Sequence, residues 1–309
     1  MKIGIVGGSG SLGQELTKQL LLKPQVESIR IISSTESKQA EMKRKFNNPK
    51  IGYLMCNIRD EYKLHGAFKG LNIIYHCAAL KMVDESHDIR EIRKTNITGT
   101  ENVCETAEDM EIEKVIFTSS DKAAYPANVY GKSKAFAEDY IVRLNSKYLN
   151  YKTKFACTRY GNCLGSTGSI LQIWPEQAKT GTIKITDARM TRFWLSLPQA
   201  ASFVINCLEG MSGGEIFIPK IKSFSVERLA KLLYTECKIE YIGMRDNGEK
   251  LHERLTIPEE NPRIRDFKDK YIIGGNHFGG IPLDKDFEYR SDLTESYTDE
   301  EMRAMLDGF

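Results

Sequence analysis

Short apolar segments alternate with longer amphipathic segments through the first half of the chain. The short segments are rich in β-branched residues, which are typical of buried strands, and the longer ones repeat apolar positions at helical spacing. Such alternation predicts an α/β protein with a doubly wound parallel sheet and right-handed crossovers. The predicted strands span residues 2–6, 28–32, 51–58, 72–77, 114–118 and 154–160. The predicted helices span about 14–22, 37–46, 89–110 and 130–147.

The regular alternation stops after Gly161, where a glycine-rich stretch predicts a long loop. Later segments follow without the same spacing, although residues 225–237 predict one amphipathic helix. A short apolar run near 215–219 predicts a strand that returns to the main sheet. We therefore expect a first domain over residues 1–162 and a smaller C-terminal domain mainly over 163–309.

Composition excludes several classes of protein. The 309 residues are 41% hydrophobic and 28% charged, with a net charge of +2 spread along the chain. This balance offers no electrostatic reason to expect nucleic acid or a membrane surface as a partner. The seven cysteines are widely spaced without a CxxC pair, so we expect a reducing compartment and no metal site. A strand starting at Lys2 leaves no room for a signal peptide, and we expect a cytoplasmic protein.

A glycine-rich loop joins the first strand to the first helix. Its spacing satisfies both GxGxxG and GxxGxxG. Glycines let a backbone approach a pyrophosphate closely, and the following helix offers unpaired N–H groups to the anion. The strand–loop–helix context favours a Rossmann-type dinucleotide site over a glycine-rich turn without a ligand. The predicted phosphate-binding residues are Gly7, Ser9, Gly10, Ser11, Leu12 and Gly13.

The end of the second predicted strand bears on the choice of dinucleotide. An acidic residue there would bind the adenosine ribose and favour NAD. Ser33 and Ser34 stand there instead, with Lys38 one helical turn later. Hydroxyl groups and a lysine suit a 2′-phosphate, so we predict NADP, with NAD still possible. The alternative is that Lys38 is an ordinary surface lysine.

Two further positions allow two interpretations each. Cys77, Ala78 and Ala79 end the fourth strand with small side chains. They suit close passage of a cofactor, or simply tight packing of a helix on the sheet. Asn96 lies inside a predicted helix, where asparagine is a poor helix former. It has either a polar structural role near the site or plain solvent exposure.

The candidate reaction centre follows the fifth strand. Ser119, Ser120, Asp121 and Lys122 come directly after it, where open α/β sheets bind ligands. Tyr130 and Lys134 lie four positions apart and so share one face of a helix. A phenol beside an ammonium is a candidate general base, because the cation stabilises the phenolate. A tyrosine and lysine on a helix surface are the alternative for so short a motif.

Longer motifs make the chain resemble the inverting UDP-N-acetylglucosamine 4,6-dehydratases, an extended branch of the short-chain dehydrogenase/reductase superfamily. The resemblance runs from Lys2 to nearly the C-terminus, and its middle motifs are more specific than the glycine loop. The motifs span residues 78–81, 119–131, 159–169, 185–194, 214–220 and 248–253.

The resemblance implies a site made from both halves of the chain. Further cofactor-binding residues implied by it are Asn57, Ile58, Lys81, Thr118 and Cys163, beside Ser119, Tyr130 and Lys134. The implied substrate-binding residues are Lys81, Asn162, Thr167, Gly168, Ser169, Ile170, Leu171, Thr186, Arg192, Arg245 and Glu288. The chain departs from the family pattern in three places. Serine replaces an arginine at 34, asparagine replaces an aspartate at 57, and one extra residue separates Arg245 from Gly248.

The resemblance implies an NADP-dependent lyase that removes water from UDP-N-acetylglucosamine for nucleotide-sugar or polysaccharide biosynthesis. Hydride leaves C-4, the C-5 proton is removed, water is lost from C-6, and hydride returns to C-6. Tyr130 and Lys134 would serve the oxidation at C-4, while Lys122 and Asp121, with Ser120 beside them, would serve the elimination. Lysine where retaining enzymes usually carry a glutamate implies C-5 inversion and a 4-keto-6-deoxy-L-arabino product. We expect burial or cations such as Lys134 to lower the pKa of Lys122.

Three alternatives remain open from sequence. A UDP-sugar 4-epimerase or a reductase would use the same Tyr/Lys pair without needing Asp121 and Lys122. A non-enzymatic NADP(H)-sensing protein would keep the fold without the chemistry, whereas this chain retains all four residues. The Asp121–Lys122 pair itself could be a surface ion pair. By resemblance we also expect a homo-oligomer.

Overall fold

The computed structural model describes residues 1–81, 89–146, 151–166, 168–245, 248–275 and 279–307. Its strands are β1 Lys2–Val6, β2 Ser28–Ser33, β3 Ile51–Met55, β4 Ile73–His76, β5 Lys114–Thr118, β6 Lys154–Thr158, β7 Asn162–Leu164, β8 Thr182–Ile185, β9 Thr191–Ser196, β10 Glu215–Pro219, β11 Ser223–Ser225, β12 Lys238–Tyr241, β13 Ile264–Asp266, β14 Lys270–Gly274 and β15 Ile281–Pro282.

The helices lie mainly between these strands. They are α1 Ser11–Leu21, α2 Glu36–Phe46, α3 Glu61–Phe68, α4 Ile89–Ile92, α5 Gly99–Asp109, α6 Val129–Leu144, α7 Ile170–Ala178, α8 Leu197–Gly210, α9 Val226–Leu233 and α10 Asp299–Leu306. A π-helical turn, Arg93–Thr98, joins α4 to α5, and two 3₁₀ turns span Asp121–Ala123 and Pro258–Arg263. Within the described ranges, none of the helices has the length and apolar character needed to cross a bilayer.

The main sheet confirms the predicted α/β class. Its strand order is β15-β13-β14-β10-β6-β5-β4-β1-β2-β3. The seven strands from β10 to β3 pair in parallel, in the doubly wound order of a Rossmann-type fold. Val6, His76 and Phe117 lie in register at the carboxyl edge. This register brings the ends of β1, β4 and β5 together.

The C-terminal half contributes to the main sheet as well as to its own structure. The predicted return strand is confirmed as β10, which pairs with β6. The sequence missed β14, β13 and β15, which extend the sheet in antiparallel fashion. Smaller sheets, β11-β9-β7 and β12-β8, lie in the C-terminal half. The domain boundary at residue 162 stays a prediction.

Apolar side chains of the described residues form three buried clusters, two of which follow from the burial of both faces of the main sheet. One includes Phe68, Phe117 and Phe155, and another includes Ile5, Leu16 and Val204. Because α5 and α6 cover one face while α1 and α8 cover the other, the central strands are apolar on both sides. The third cluster belongs to the C-terminal half and is built around Trp174, Trp194 and Phe224.

Several predicted boundaries were wrong by a few residues. Strand β3 ends at Met55, so Asn57 lies exposed beyond the strand rather than within it. The long helix predicted over 89–110 is interrupted by the π-helical turn. Helix α9 ends at Leu233, earlier than the predicted residue 237.

Candidate active site

The glycine loop has the close backbone packing that a dinucleotide site requires. Gly7 has φ +77°, and a Cβ there would lie 2.6 Å from the backbone nitrogen of Ala78. A Cβ on Gly13 would lie 2.5 Å from Cα of Gly8. Gly10 differs, because its added Cβ would meet only the carbonyl oxygen of Gly7, at 3.3 Å. The loop leads into the eleven-residue helix α1, whose first-turn N–H groups suit a pyrophosphate.

The tip of β2 is occupied by a buried polar network. The Ser9 hydroxyl donates to Ser33 Oγ at 3.0 Å, and Gln39 Nε2 donates to Ser33 Oγ at 2.9 Å. Gln39 also donates to the carbonyl oxygens of Ser33 and Leu54. Ser34, Lys38 and Asn57 are exposed, whereas Ile58 is buried. Sequence reasoning missed Gln39, whose only sequence signal is a polar residue on a lysine-rich helix.

The two interpretations of Asn96 are resolved in favour of the structural role. Asn96 is buried, so the solvent-exposed alternative was wrong. Its Oδ1 accepts from the Leu80 backbone N–H at 2.8 Å, and its Nδ2 donates to the Leu80 carbonyl oxygen and to Ser133 Oγ, both at 3.0 Å. It thus ties the loop after β4 to α6. Tight packing at this loop is also present, since Gly7 lies against Ala78.

A cavity of about 470 Å³ opens at the carboxyl edge of the sheet. Most predicted site residues around the reaction centre line it. They are Leu12, Cys77, Ala79, Lys81, Thr118, Ser119, Ser120, Lys122, Tyr130, Lys134, Asn162, Cys163, Gly168, Ser169, Ile170, Arg192 and Arg245.

Three predicted substrate residues are placed differently. Leu171, Thr186 and Glu288 are not among the described residues that line the cavity. Glu288 instead pairs with Arg254 and Arg290, at 3.0 and 3.1 Å. Thr167 lies outside the described residues.

Asp121 and Lys122 form a short ion pair in which the partly exposed Lys122 lines the cavity, whereas Asp121 is not among the described lining residues. Asp121 is fully buried, and its Oδ1 accepts from Lys122 Nζ at 2.9 Å and from Ser120 Oγ at 2.8 Å. Lys122 also donates to Asn162 Oδ1 at 3.0 Å. Asp121 Oδ2 is buried without a hydrogen-bond partner among the described residues. The surface-pair alternative is therefore wrong.

The expected lowering of the Lys122 pKa was also wrong. Burial by itself lowers that pKa, but the carboxylates of Asp121 and Glu253 outweigh it, and the net pKa is raised. Lys122 is therefore an ammonium in the protein without substrate. Burial and the nearby charge of Glu253 raise the pKa of Asp121 despite the opposing effect of Lys122. The two partners thus hold their protons more tightly than isolated side chains would.

Lys134 is the lysine whose proton is weakly held. It is buried, donates to the Thr118 carbonyl oxygen at 2.9 Å and lies 4.2 Å from the centre of the Phe117 ring. Burial, with a smaller contribution from the charge of Lys81, lowers its pKa to about 7. Burial raises the pKa of Tyr130 to about 12, and the cation that opposes this rise is Lys122.

Two arginines line the cavity in different environments. Arg192 is buried, and its guanidinium donates to the carbonyl oxygens of Thr191, Lys250 and Leu251 at 2.8–2.9 Å. Arg245 is half exposed, with Nε 3.7 Å from Glu249 Oε2. Thr186 donates to the same Glu249 oxygen at 3.0 Å. Arg245 is therefore the freer of the two to contact a ligand.

Sequence reasoning missed three charged residues among those described as lining the cavity. They are Glu249, Lys250 and Glu253, from the 248–254 segment. Gly248, at φ +78°, packs directly on the Ala127 carbonyl, and Lys250 donates to the Ala124 carbonyl at 3.1 Å. The sequence signal was present, because these residues belong to a motif used for the resemblance.

Comparisons with known proteins agree with the geometry. A family model described as "Polysaccharide biosynthesis protein" matches residues 3–274. The inverting UDP-N-acetylglucosamine 4,6-dehydratase of Campylobacter jejuni is 36% identical over 308 residues, covering 99% of this chain and 90% of that protein. The UDP-glucose 4-epimerase of Rickettsia bellii is 35% identical over 316 residues, covering 99% and 89%.

A solved structure is similar to nearly the whole chain. Pen from Bacillus thuringiensis aligns with a TM-score of 0.91 and 32% identity, covering 99% of this chain and 97% of that one. The similarity to inverting dehydratases predicted from the motifs is confirmed by the Campylobacter relative. The chain belongs to the polysaccharide biosynthesis protein family.

Proposed function

We propose that this protein is an NADP-dependent UDP-N-acetylglucosamine 4,6-dehydratase that inverts C-5. The observation that carries the proposal is the Asp121–Lys122 ion pair, whose lysine lines the same cavity as Tyr130. Oxidation at C-4 needs only a Tyr/Lys pair, whereas elimination needs a further acid and base. The Campylobacter relative's name supports the substrate and the inversion.

The glycine loop and the cavity residues fit a dinucleotide. The close contacts of Gly7 and Gly13 leave the loop backbone open to a pyrophosphate, and Leu12 of the loop lines the same cavity as Tyr130 and Lys134. When bound, the dinucleotide supplies the acceptor and donor of the hydride. Ser33, Ser34 and Lys38 carry the proposed preference for NADP, because no carboxylate stands at the tip of β2. In this proposal, Tyr130 takes the proton of the C-4 hydroxyl as a phenolate, the form that the charge of Lys122 favours against the effect of burial.

The elimination is assigned to a proton shared by Asp121 and Lys122. Moving one proton along their 2.9 Å hydrogen bond converts ammonium and carboxylate into amine and carboxylic acid. The Lys122 amine then removes the C-5 proton, and the Asp121 acid protonates the departing C-6 hydroxyl. One water leaves, and the pair returns to ammonium and carboxylate. Reduction at C-6 is then completed by a solvent-derived proton that adds to the opposite face of C-5. Within the pair, Asp121 Oδ1 receives the proton from Lys122, and Ser120, whose hydroxyl donates to that oxygen, lines the cavity.

The UDP group is assigned to the opposite side of the cavity. Arg245 is half exposed there and free to bind a diphosphate through charge-assisted hydrogen bonds. Asn162, Gly168, Ser169 and Ile170 extend this wall. Arg192 supports the wall through its bonds to the 248–254 segment.

The test is incubation of UDP-N-acetylglucosamine with the protein and NADP in heavy water, followed by mass spectrometry and NMR. We expect loss of one water, one solvent deuteron at C-5 and the L-arabino configuration. The D-xylo product would refute inversion while leaving dehydration in place. An unchanged mass with a C-4 epimer would favour the epimerase, which the Rickettsia relative's name supports. Cofactor binding without conversion of this or other UDP-sugars would favour the sensor alternative.

A further inference from the structure

Glu253 is a buried carboxylate that faces the candidate catalytic pair from a distant part of the chain. It is 3% exposed, and its Oε1 lies 3.9 Å from Lys122 Nζ. The same oxygen lies 3.9 Å from Arg192 Nε, and Oε2 lies 2.8 Å from Lys250 Nζ. Oε2 has no aligned hydrogen-bond partner among the described residues. A buried carboxylate held mainly by ion pairs is costly unless several cations compensate it.

The backbone around Glu253 is held in place independently of its carboxylate. Its N–H donates to Ser291 Oγ at 3.0 Å, and its carbonyl oxygen accepts from the Ser291 N–H at 2.9 Å. Arg192 binds the carbonyl oxygens of Lys250 and Leu251. The charge of the Glu253 side chain is therefore not required to attach this segment. This points to a role for the carboxylate in the cavity.

We propose that Glu253 is a positioning residue that holds the Lys122 ammonium beside Asp121 and keeps one transferable proton on that pair. This inference rests on the proposed function, because it assigns Glu253 to the elimination step. The relevant geometry is a lysine between two carboxylates. Lys122 Nζ lies 2.9 Å from Asp121 Oδ1 and 3.9 Å from Glu253 Oε1, and the two carboxylates come from distant parts of the chain.

The charges around the pair determine the direction of the effect. Asp121 and Glu253 favour protonated Lys122, whereas Arg192 opposes it. Glu253 also favours protonated Asp121. Lys250 and Arg192 keep Glu253 itself ionised, together with Lys122. Tyr130 and Cys163 are further ionisable groups coupled to both members of the pair. Removing the Glu253 charge therefore lowers the pKa of both Lys122 and Asp121.

The first experiment compares the pH dependence of kcat in wild type, Glu253→Gln and Glu253→Asp. We expect kcat of Glu253→Gln to fall by about 10- to 100-fold through misplacement of Lys122. Both the acid limb and the alkaline limb of its kcat–pH profile should shift to lower pH. KM should change less than kcat. Glu253→Asp should lose turnover but keep the limbs near their wild-type positions. Glu295→Gln removes an exposed carboxylate that pairs with Lys222 and serves as the charge control.

The second experiment measures the protonation of Lys122 directly and does not depend on catalysis. Only a neutral amine reacts with acetic anhydride, so acetylation of Lys122 can be followed by peptide mass spectrometry, with exposed Lys179 as the internal reference. We expect Glu253→Gln to raise the Lys122 rate about tenfold, because an opposite charge within ~4 Å is removed.

The outcomes separate this inference from the proposed function. Unchanged pH limbs and an unchanged acetylation rate in folded Glu253→Gln would overturn the positioning role. Faster acetylation in a protein that dehydrates no UDP-sugar would refute the proposed function while retaining the electrostatic contact. If Glu253→Gln does not fold, the test rests on Glu253→Asp, which is expected to keep the limbs of the pH profile near their wild-type positions. A displaced pH profile in Glu253→Asp would then overturn the inference.

Discussion

The carboxyl edge of the main sheet and the 248–254 segment form two walls of one cavity, yet they are positioned by different forces. Ser119 to Lys122 follow a strand that is apolar on both faces and bonded on both sides. The 248–254 segment contains little regular structure and is attached by individual polar contacts. Many buried side chains together stabilise the sheet, whereas each contact of the 248–254 segment depends on one particular side chain.

This difference indicates how the two walls should respond to mutation. A change in the sheet wall should affect the chemistry without moving its backbone. A change in the second wall, or at the junction between the two, should alter geometry and stability together. Arg159 is that junction, because it binds Glu138 of α6, Glu260 and the Leu255 carbonyl while almost fully buried.

The largest effect is expected in the sheet wall. Lys122→Ala should lower dehydration of UDP-N-acetylglucosamine by ~10²- to 10⁴-fold, because a general acid–base group is lost. Affinity for the dinucleotide should stay within about twofold of wild type. The free energy of binding then changes by well under the ~1.4 kcal/mol that corresponds to a tenfold change in affinity. Mass spectrometry and calorimetric titration measure the two quantities. Lys132→Ala, on the exposed face of α6, is the control. Dehydration at the normal rate would refute the role of Lys122.

The junction should show the largest effect on stability. Arg159→Met leaves Glu138 and Glu260 buried without their shared cation, and should cost ~3–5 kcal/mol in the free energy of unfolding. Urea denaturation measures the loss. Glu176→Gln breaks an exposed pair with Lys179 and should cost less than ~1 kcal/mol. Equal losses in the two variants would contradict the idea that Arg159 connects the walls.

The glycine loop offers a test that separates ligand binding from packing. Gly10→Val should weaken NADP binding by at least about tenfold, since the side chain occupies the space of the pyrophosphate. The fold should persist, because a Cβ at Gly10 meets only one atom, at 3.3 Å. Gly13→Val should instead disturb the fold, because its Cβ would strike Gly8. Calorimetric titration measures NADP binding, and the same titration with NAD tests the proposed preference for NADP. Equal affinities for the two dinucleotides would refute that preference.

The smallest expected effect is a change of stability with pH that depends on the buried side chain of Lys134. Its pKa is lowered to about 7, whereas an unfolded lysine titrates near ~10.4. Between these values the unfolded chain binds more protons, so this group makes stability rise with pH by up to ~1.4 kcal/mol per pH unit. Wild type should therefore gain stability relative to Lys134→Met from pH 7 to 9 in urea denaturation. Parallel curves would show that Lys134 stays charged.

Much of the site was predictable because its residues are close in sequence. The loop from Gly7 to Gly13 and the residues from Thr118 to Lys134 each follow one strand. Once the strands are recognised, the parallel sheet brings those strand ends to one edge. The exposed position of Asn57 was missed because a strand end depends on hydrogen bonds with neighbours, which apolar runs do not specify.

The sequence by itself determined the α/β class, the glycine loop and the residues after β5, because local periodicity and strand-end chemistry need no distant partner. Only the tertiary structure decided the protonation of the two lysines. Lys122 and Lys134 are both lysines beside the same strand end, yet one lies between two carboxylates and the other lies against Phe117. The second carboxylate, Glu253, is far along the chain, and charges interact through space. The raised pKa of Lys122 and the lowered pKa of Lys134 therefore depend on contacts that the linear order of residues does not reveal.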